Sequence, residues 1–277
     1  MRSSSVEVKR KNILHHDAEA DFFEIAHPEG SSVYERSKVL ENIQYILRRS
    51  GASDLCVDVG CGTGLNTRFE LPLYRFVLAA DISRRMLEVV KSRFGDFCGL
   101  HFVVCDAENL PLRGEIADMI SVSSVLHHLP EPHWAIREMA RALRLGGFLC
   151  VMREPNDVRF RRFFAFLDEV IVRRLVQLFK HLSFFEKPGP ESGIAEGLDY
   201  PGVDVHYPSG FNVEEILGFL LLNHFEMVSA YSYHWIYPIA GTGPLSDVLS
   251  RANFIIEKIP LSGKLGRYVC IVARRLQ

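Results

Sequence analysis

The sequence predicts an α/β fold: a doubly wound sheet, mostly parallel with an antiparallel edge, plus an inserted helical cap. Three observations lead there. From residue 54 onward, short apolar runs alternate with amphipathic stretches, as parallel strands covered by crossover helices do. The first of these runs ends in a glycine-rich turn, Gly60-Cys61-Gly62-Thr63-Gly64, which lets the backbone bend sharply and approach a ligand. The alternation then breaks once, between residues 156 and 211, before strand-like and helical patterns resume.

Ser32 to Arg49 reads as a helix, because Ser32-Val33-Tyr34-Glu35 has capping-box spacing and Val33, Val39, Leu40, Ile43, Ile46 and Leu47 form an apolar stripe. Strands are expected at Leu55–Val59, Phe76–Ala80, Leu100–Cys105, Ala117–Ser121 and Phe148–Met152. Helices are expected at Arg84–Phe94 and Trp134–Leu143, the second stopped by Gly146-Gly147. Pro72 shortens the crossover between the first two strands. Val213–Leu222 reads as a helix, and Glu226–Tyr233 and Tyr268–Ala273 as two last, antiparallel strands. The expected division is an N-terminal helical segment over 1–50, a core over 51–155, a cap over 156–211 and the rest of the sheet over 212–277. In the cap, Arg159–Lys187 is amphipathic, with seven Arg and Lys against three acids, and Pro188–Gly210 holds four prolines and five glycines. The first reads as a cap helix with an apolar face for the core, a dimer mate or a membrane surface, the second as a lid.

Composition narrows the function. The chain has 277 residues, 48% of them hydrophobic, and 32 basic against 34 acidic side chains give a net charge of −2. A dedicated nucleic-acid binder carries a far stronger basic balance, so nucleic acid is not expected as a partner. No apolar run reaches the roughly 20 residues of a spanning helix, and Met1–Lys11 lacks the apolar core of a secretory signal. The cytoplasm is the expected compartment, with peripheral membrane contact open through 159–187. The six cysteines contain no C-x-x-C pair and read as reduced, buried thiols. His15-His16-Asp17 could suggest ligands, but adjacent helical side chains diverge and no partner motif follows, so no metal is expected.

The glycine loop carries the chemistry. Asp58-x-Gly60-x-Gly62-x-Gly64 differs from the dinucleotide Gly-x-Gly-x-x-Gly, and a Walker lysine is absent. Asp81 closes the next strand, where an acid can accept hydrogen bonds from two ribose hydroxyls, and Asp106 follows the third. Three polar anchors then face one crevice at the carboxyl edge of the sheet.

These residues resemble the class I S-adenosylmethionine-dependent methyltransferases, in their small-molecule branch. The likeness is close over about 50–155: the glycine motif, Asp81, Cys105-Asp106-Ala107, Leu145-Gly146-Gly147 before the fifth strand, and Ser123-Ser124-Val125-Leu126-His127-His128-Leu129. It implies a Rossmann-like core, S-adenosylmethionine as cofactor, and cofactor contacts from Asp58, Gly60, Cys61, Gly62, Gly64, Asp81, Ile82, Met86, Asp106, Ala107 and Ser123. It also implies an N-terminal segment folded over the cofactor.

Methyl transfer from a sulfonium needs alignment and exclusion of water more than protein chemistry. For a hydroxyl acceptor, a histidine suits as base. His127 and His128 follow the fourth strand on the cofactor side and are the first candidates, with Glu154 at the end of the fifth; Tyr200, His206 and Tyr207 in the lid are candidates for the acceptor. The expected acceptor is a small or lipid-like molecule. The rival readings are a cofactor-binding regulatory protein without chemistry and a nicotinamide oxidoreductase, against which the loop spacing and Asp106 argue.

Overall fold

The computed structural model describes residues 5–156, 213–234, 244–258 and 266–276. The cap helix, the lid and its candidates Tyr200, His206 and Tyr207 lie outside the described residues. Three helical segments come first: α1 (Ser5–Glu19), α2 (Phe23–Ala26) and α3 (Val33–Ser50). The strands β1 (Leu55–Val59), β2 (Phe76–Asp81), β3 (Leu100–Val104), β4 (Ala117–Ser123) and β5 (Leu143–Pro155) follow. Between them lie α4 (Thr67–Glu70), α5 (Arg84–Phe94) and α6 (Pro132–Ala142), and the chain continues through α7 (Val213–Leu222), β6 (Phe225–Tyr233), α8 (Pro244–Ile256) and β7 (Tyr268–Arg275).

These strands build one sheet in the order β3-β2-β1-β4-β5-β7-β6. Pairings from β3 to β5 are parallel, and β7 inserts antiparallel between β5 and β6. The fold is the expected mostly parallel Rossmann-like sheet, its antiparallel pairings confined to one side. Alternation along each strand feeds two cores. Val57 and Val59 turn toward Ile136 and Met139 of α6 and Ile216 and Leu220 of α7; Cys56 and Val77 turn toward Ile43 and Ile46 of α3 and Leu87 and Val90 of α5. Five of the six cysteines lie wholly or partly within these apolar surroundings, and Cys98 is exposed.

Local signals placed α3, where Ser32 Oγ accepts from the Glu35 amide and Gly51 ends the helix at φ +62°. The crossover after β1 shrinks to the four residues of α4, as Pro72 requires. At α6 the expected stop is corrected: the helix ends at Ala142, Leu143 is already extended, and Gly146 at φ +77° lies inside β5. Those glycines serve strand packing, since a Cβ on Gly147 would come within 3.1 Å of the Ala117 carbonyl. The helix α1 carries no sequence signal in its apolar residues. Its buried positions, Val8, Asn12, His15 and Glu19, keep helical spacing but are mostly polar.

Candidate active site

The carboxyl ends of β1, β2, β4 and β5 and the loop after β3 meet α1 around a cavity of about 500 Å³. Its floor is the glycine loop. Gly60 (φ +66°) and Gly62 (φ +52°) adopt left-handed backbone, and the Gly60 and Cys61 amides donate to the Ala80 carbonyl at 2.7 and 3.1 Å. A Cβ on Gly60 would run into Val125, whereas Gly62 has open space on its Cα; Gly62 is where a ligand can approach the backbone. Gly64 corrects the expectation of a cofactor contact. It does not line the cavity, and a Cβ there would lie 2.9 Å from Phe94, so it allows loop-to-helix packing instead.

Asp58 is 1% exposed and braces the loop from beneath, accepting from Thr67 Oγ1 at 2.6 Å and Ser121 Oγ at 3.3 Å. Glu70 lies 2.5 Å from the same Ser121 hydroxyl, whose one proton serves only one of the two carboxylates. Burial raises Asp58 to about 6 and Glu70 well above the usual carboxylate range, with like charge from Asp81 adding to the first and from Asp58 to the second. Asp81 splits its oxygens between the Gly62 amide and the Ser83 amide, both at 2.8 Å. Burial pushes its carboxyl up, against the pull of those amides. Ile82, Met86, Ala107 and Asp106 line the same wall. Asp106 is paired with Lys9 of α1 at 2.6 Å, and Lys9 also bonds Glu108. Ser123 lines the cavity too, and its buried hydroxyl has no partner among the described residues; neither has Asn66 Oδ1.

His127 and His128 sit in a short 3-10 turn after β4, with ring centroids 4.1 Å apart. Both line the cavity. Glu154 does not. It is fully buried, accepting from the Val125, Leu126 and His127 amides at 2.9, 2.9 and 3.1 Å and pairing with His127 Nδ1 at 2.9 Å. The expected catalytic role for Glu154 is corrected to that of a brace, because its carboxylate turns under the loop and away from the cavity.

Several residues missed in the sequence complete the walls. His16 stacks edge-on to His128 at 5.3 Å between centroids. Asn12 donates to the His128 carbonyl at 3.3 Å. Arg153, at φ +57° and 7% exposed, directs its side chain to the cavity from the end of β5. Glu19 of α1 is buried among His15, His16 and His27. Adjacent histidines were expected to diverge, but Glu19 follows His15 by four residues and His16 by three, which puts its carboxylate between both rings. A sequence signal existed in that His-His-x-x-Glu spacing.

Comparison with known proteins adds the chemistry. Residues 57–151 match the family model "Methyltransferase domain". The mouse "Probable tRNA methyltransferase 9B" (Mus musculus) is 31% identical over 131 residues, covering 46% of this chain and 28% of the relative. The demethylmenaquinone methyltransferase of Clavibacter sepedonicus is 30% identical over 129 residues, covering 46% of this chain and 53% of the relative. The chain thus spans between about a quarter and about half of the length of these relatives. The N-methyltransferase NodS of Bradyrhizobium japonicum, solved with S-adenosyl-L-homocysteine, has the same fold with a TM-score of 0.54 at 15% identity, covering 89% of each chain. A glycine loop with open backbone, an acid closing the second strand and this match agree: residues 57–151 match a methyltransferase domain, in a fold consistent with the class I methyltransferases.

Proposed function

We propose that this protein transfers a methyl group from S-adenosylmethionine to a small-molecule or lipid-like acceptor. The observation that carries the reading is the single cavity in which the open Gly62 backbone, Asp81 and the His127-His128 turn face one another. Its size falls within the range of sites that take whole organic ligands.

The residues present fit the cofactor. Gly62 offers backbone without steric obstruction, and the Ser123 hydroxyl and Asn66 Oδ1 are buried polar atoms awaiting a partner, suited to the amino and carboxylate groups of a methionine moiety. Asp81, already holding Gly62, is suited to ribose hydroxyls, and Asp106 to the adenine side. Bound there, the cofactor supplies a methyl group on a positively charged sulfur, ready for in-line displacement. The protein's part is placement. The Glu154 brace fixes three amides and the His127 ring, and so fixes where the next residue, His128, presents its imidazole. His128 takes a proton from a hydroxyl acceptor as the new bond forms. Helix α1 closes the cavity above and limits water.

Charge supports a small acceptor. A net charge of −2 gives no basic surplus for a polyanion, although three relatives are named for tRNA. Incubation with methyl-labelled cofactor, a hydroxylated quinol or lipid in one arm and total tRNA in the other, tests this. Label in the organic extract is expected. Label in tRNA alone would overturn the acceptor class, and label in neither, despite tight cofactor binding, would favour a binding protein without chemistry.

A further inference from the structure

Helix α1 brings to the cavity a cluster that methyl transfer does not require. Glu19 is 1% exposed. Its Oε1 lies 3.3 Å from His15 Nε2 and 3.0 Å from His16 Nδ1, and one ligand atom from each of the three residues falls within 4.8 Å of the others. Its other oxygen, Oε2, is 3.4 Å from His27 Nε2. Around a tetrahedral ion with bonds of about 2.1 Å, neighbouring ligand atoms stand roughly 3.4 Å apart. The carboxylate-to-imidazole distances approach that spacing, so an ion needs only small side-chain movement to enter.

We propose that His15, His16 and Glu19 bind a divalent transition-metal ion, with His27 orienting the Glu19 carboxylate through its second oxygen. Two imidazoles and a carboxylate suit zinc, iron or cobalt better than calcium or magnesium, which favour all-oxygen shells. Three protein ligands leave a coordination position open, the pattern of reactive rather than structural metal sites. All four residues line the cavity, so that position faces the ligand space, near His128, whose ring is 5.3 Å from that of His16. His27 bonding the far oxygen is the outer partner that ligating carboxylates commonly have. Metal binding at this place can be measured without methyl transfer.

The test uses the untagged full chain, stripped with a chelator and titrated with Co²⁺ alone, without methyl donor. Saturable binding of one ion per chain is expected, with visible ligand-field absorption and no thiolate charge-transfer band. His16→Ala and Glu19→Gln should each weaken binding by roughly a hundredfold, and His27→Ala by about tenfold, the loss typical of an outer partner. Thermal melts of each variant establish that it is folded, and His15→Ala serves as the second ligand variant should one melt abnormally. Absence of saturable binding to the wild type, a thiolate band, or full affinity in folded His16→Ala and His15→Ala would overturn the site. None of these results bears on cofactor binding, which is measured separately.

Discussion

Asp81 gives one carboxylate two tasks: it holds the Gly62 amide and the start of α5 through Ser83, and it faces the cavity where a ribose would lie. Asp81→Asn keeps the shape and removes the charge. A hydrogen bond to a charged group contributes about 1.5–3 kcal/mol, so affinity for S-adenosylhomocysteine should fall roughly tenfold to hundredfold, measured by calorimetry. His128→Ala should reduce turnover far more than cofactor affinity; unchanged turnover would remove His128 from the proposed chemistry. Glu154→Ala leaves three buried amides and an imidazole without their acceptor. It should cost about 3 kcal/mol in denaturant unfolding, where a group facing the cavity would cost little. Asp81, Asp106, Gly60 and Gly62 were legible as lining one cavity because their residue types at fixed spacing after a strand have few other uses, whereas Gly64 packs against Phe94. Glu154 was misread, since its place at a strand end does not say to which side its carboxylate turns. Lys9 and Asn12 left no mark, because their contacts exist only once α1 has folded over the sheet.

At the level of elements, α1 is fastened by polar contacts. Besides Lys9, Asp17 accepts from Ser83 Oγ at 2.6 Å, while just beyond the helix Asp21 pairs with Arg85 at 2.9 Å and Glu24 with Arg93. Exposed pairs contribute at most about 1 kcal/mol each and weaken with salt. Ser83 is fully buried and also caps α5, accepting from the Met86 amide at 3.1 Å. Ser83→Ala should therefore cost about 1 kcal/mol of stability and speed proteolysis within α1. Unchanged cleavage would show that the helix is held elsewhere. Strands and apolar helices could be read from periodicity because their buried faces are hydrophobic. The same rule hides α1, whose buried face is mostly Asn, His and Glu, and it overextends α6, where Gly146-Gly147 looks like a stop but belongs to β5.

For the whole molecule, the buried carboxylates under the loop predict how stability follows pH. Burial raises Asp58 to about 6 and also pushes Glu70 well up, so in the folded state they retain protons that the unfolded chain releases near its ordinary value of about 4. The folded state then binds more protons above about pH 4, and stability from these groups falls as pH rises through the window to about 6 and beyond. Glu70→Gln can still accept from Ser121, and it should flatten the loss of stability between pH 5 and pH 8 in denaturant melts. An unaltered slope would show the pair to be ionised throughout. The central claim is that the cavity beneath α1 is a cofactor site. Calorimetric titration with S-adenosylhomocysteine, on wild type and Asp81→Asn, tests it most directly. Micromolar binding that weakens at least tenfold in the variant is predicted, and no binding to the folded wild type, or equal binding to both, would contradict it.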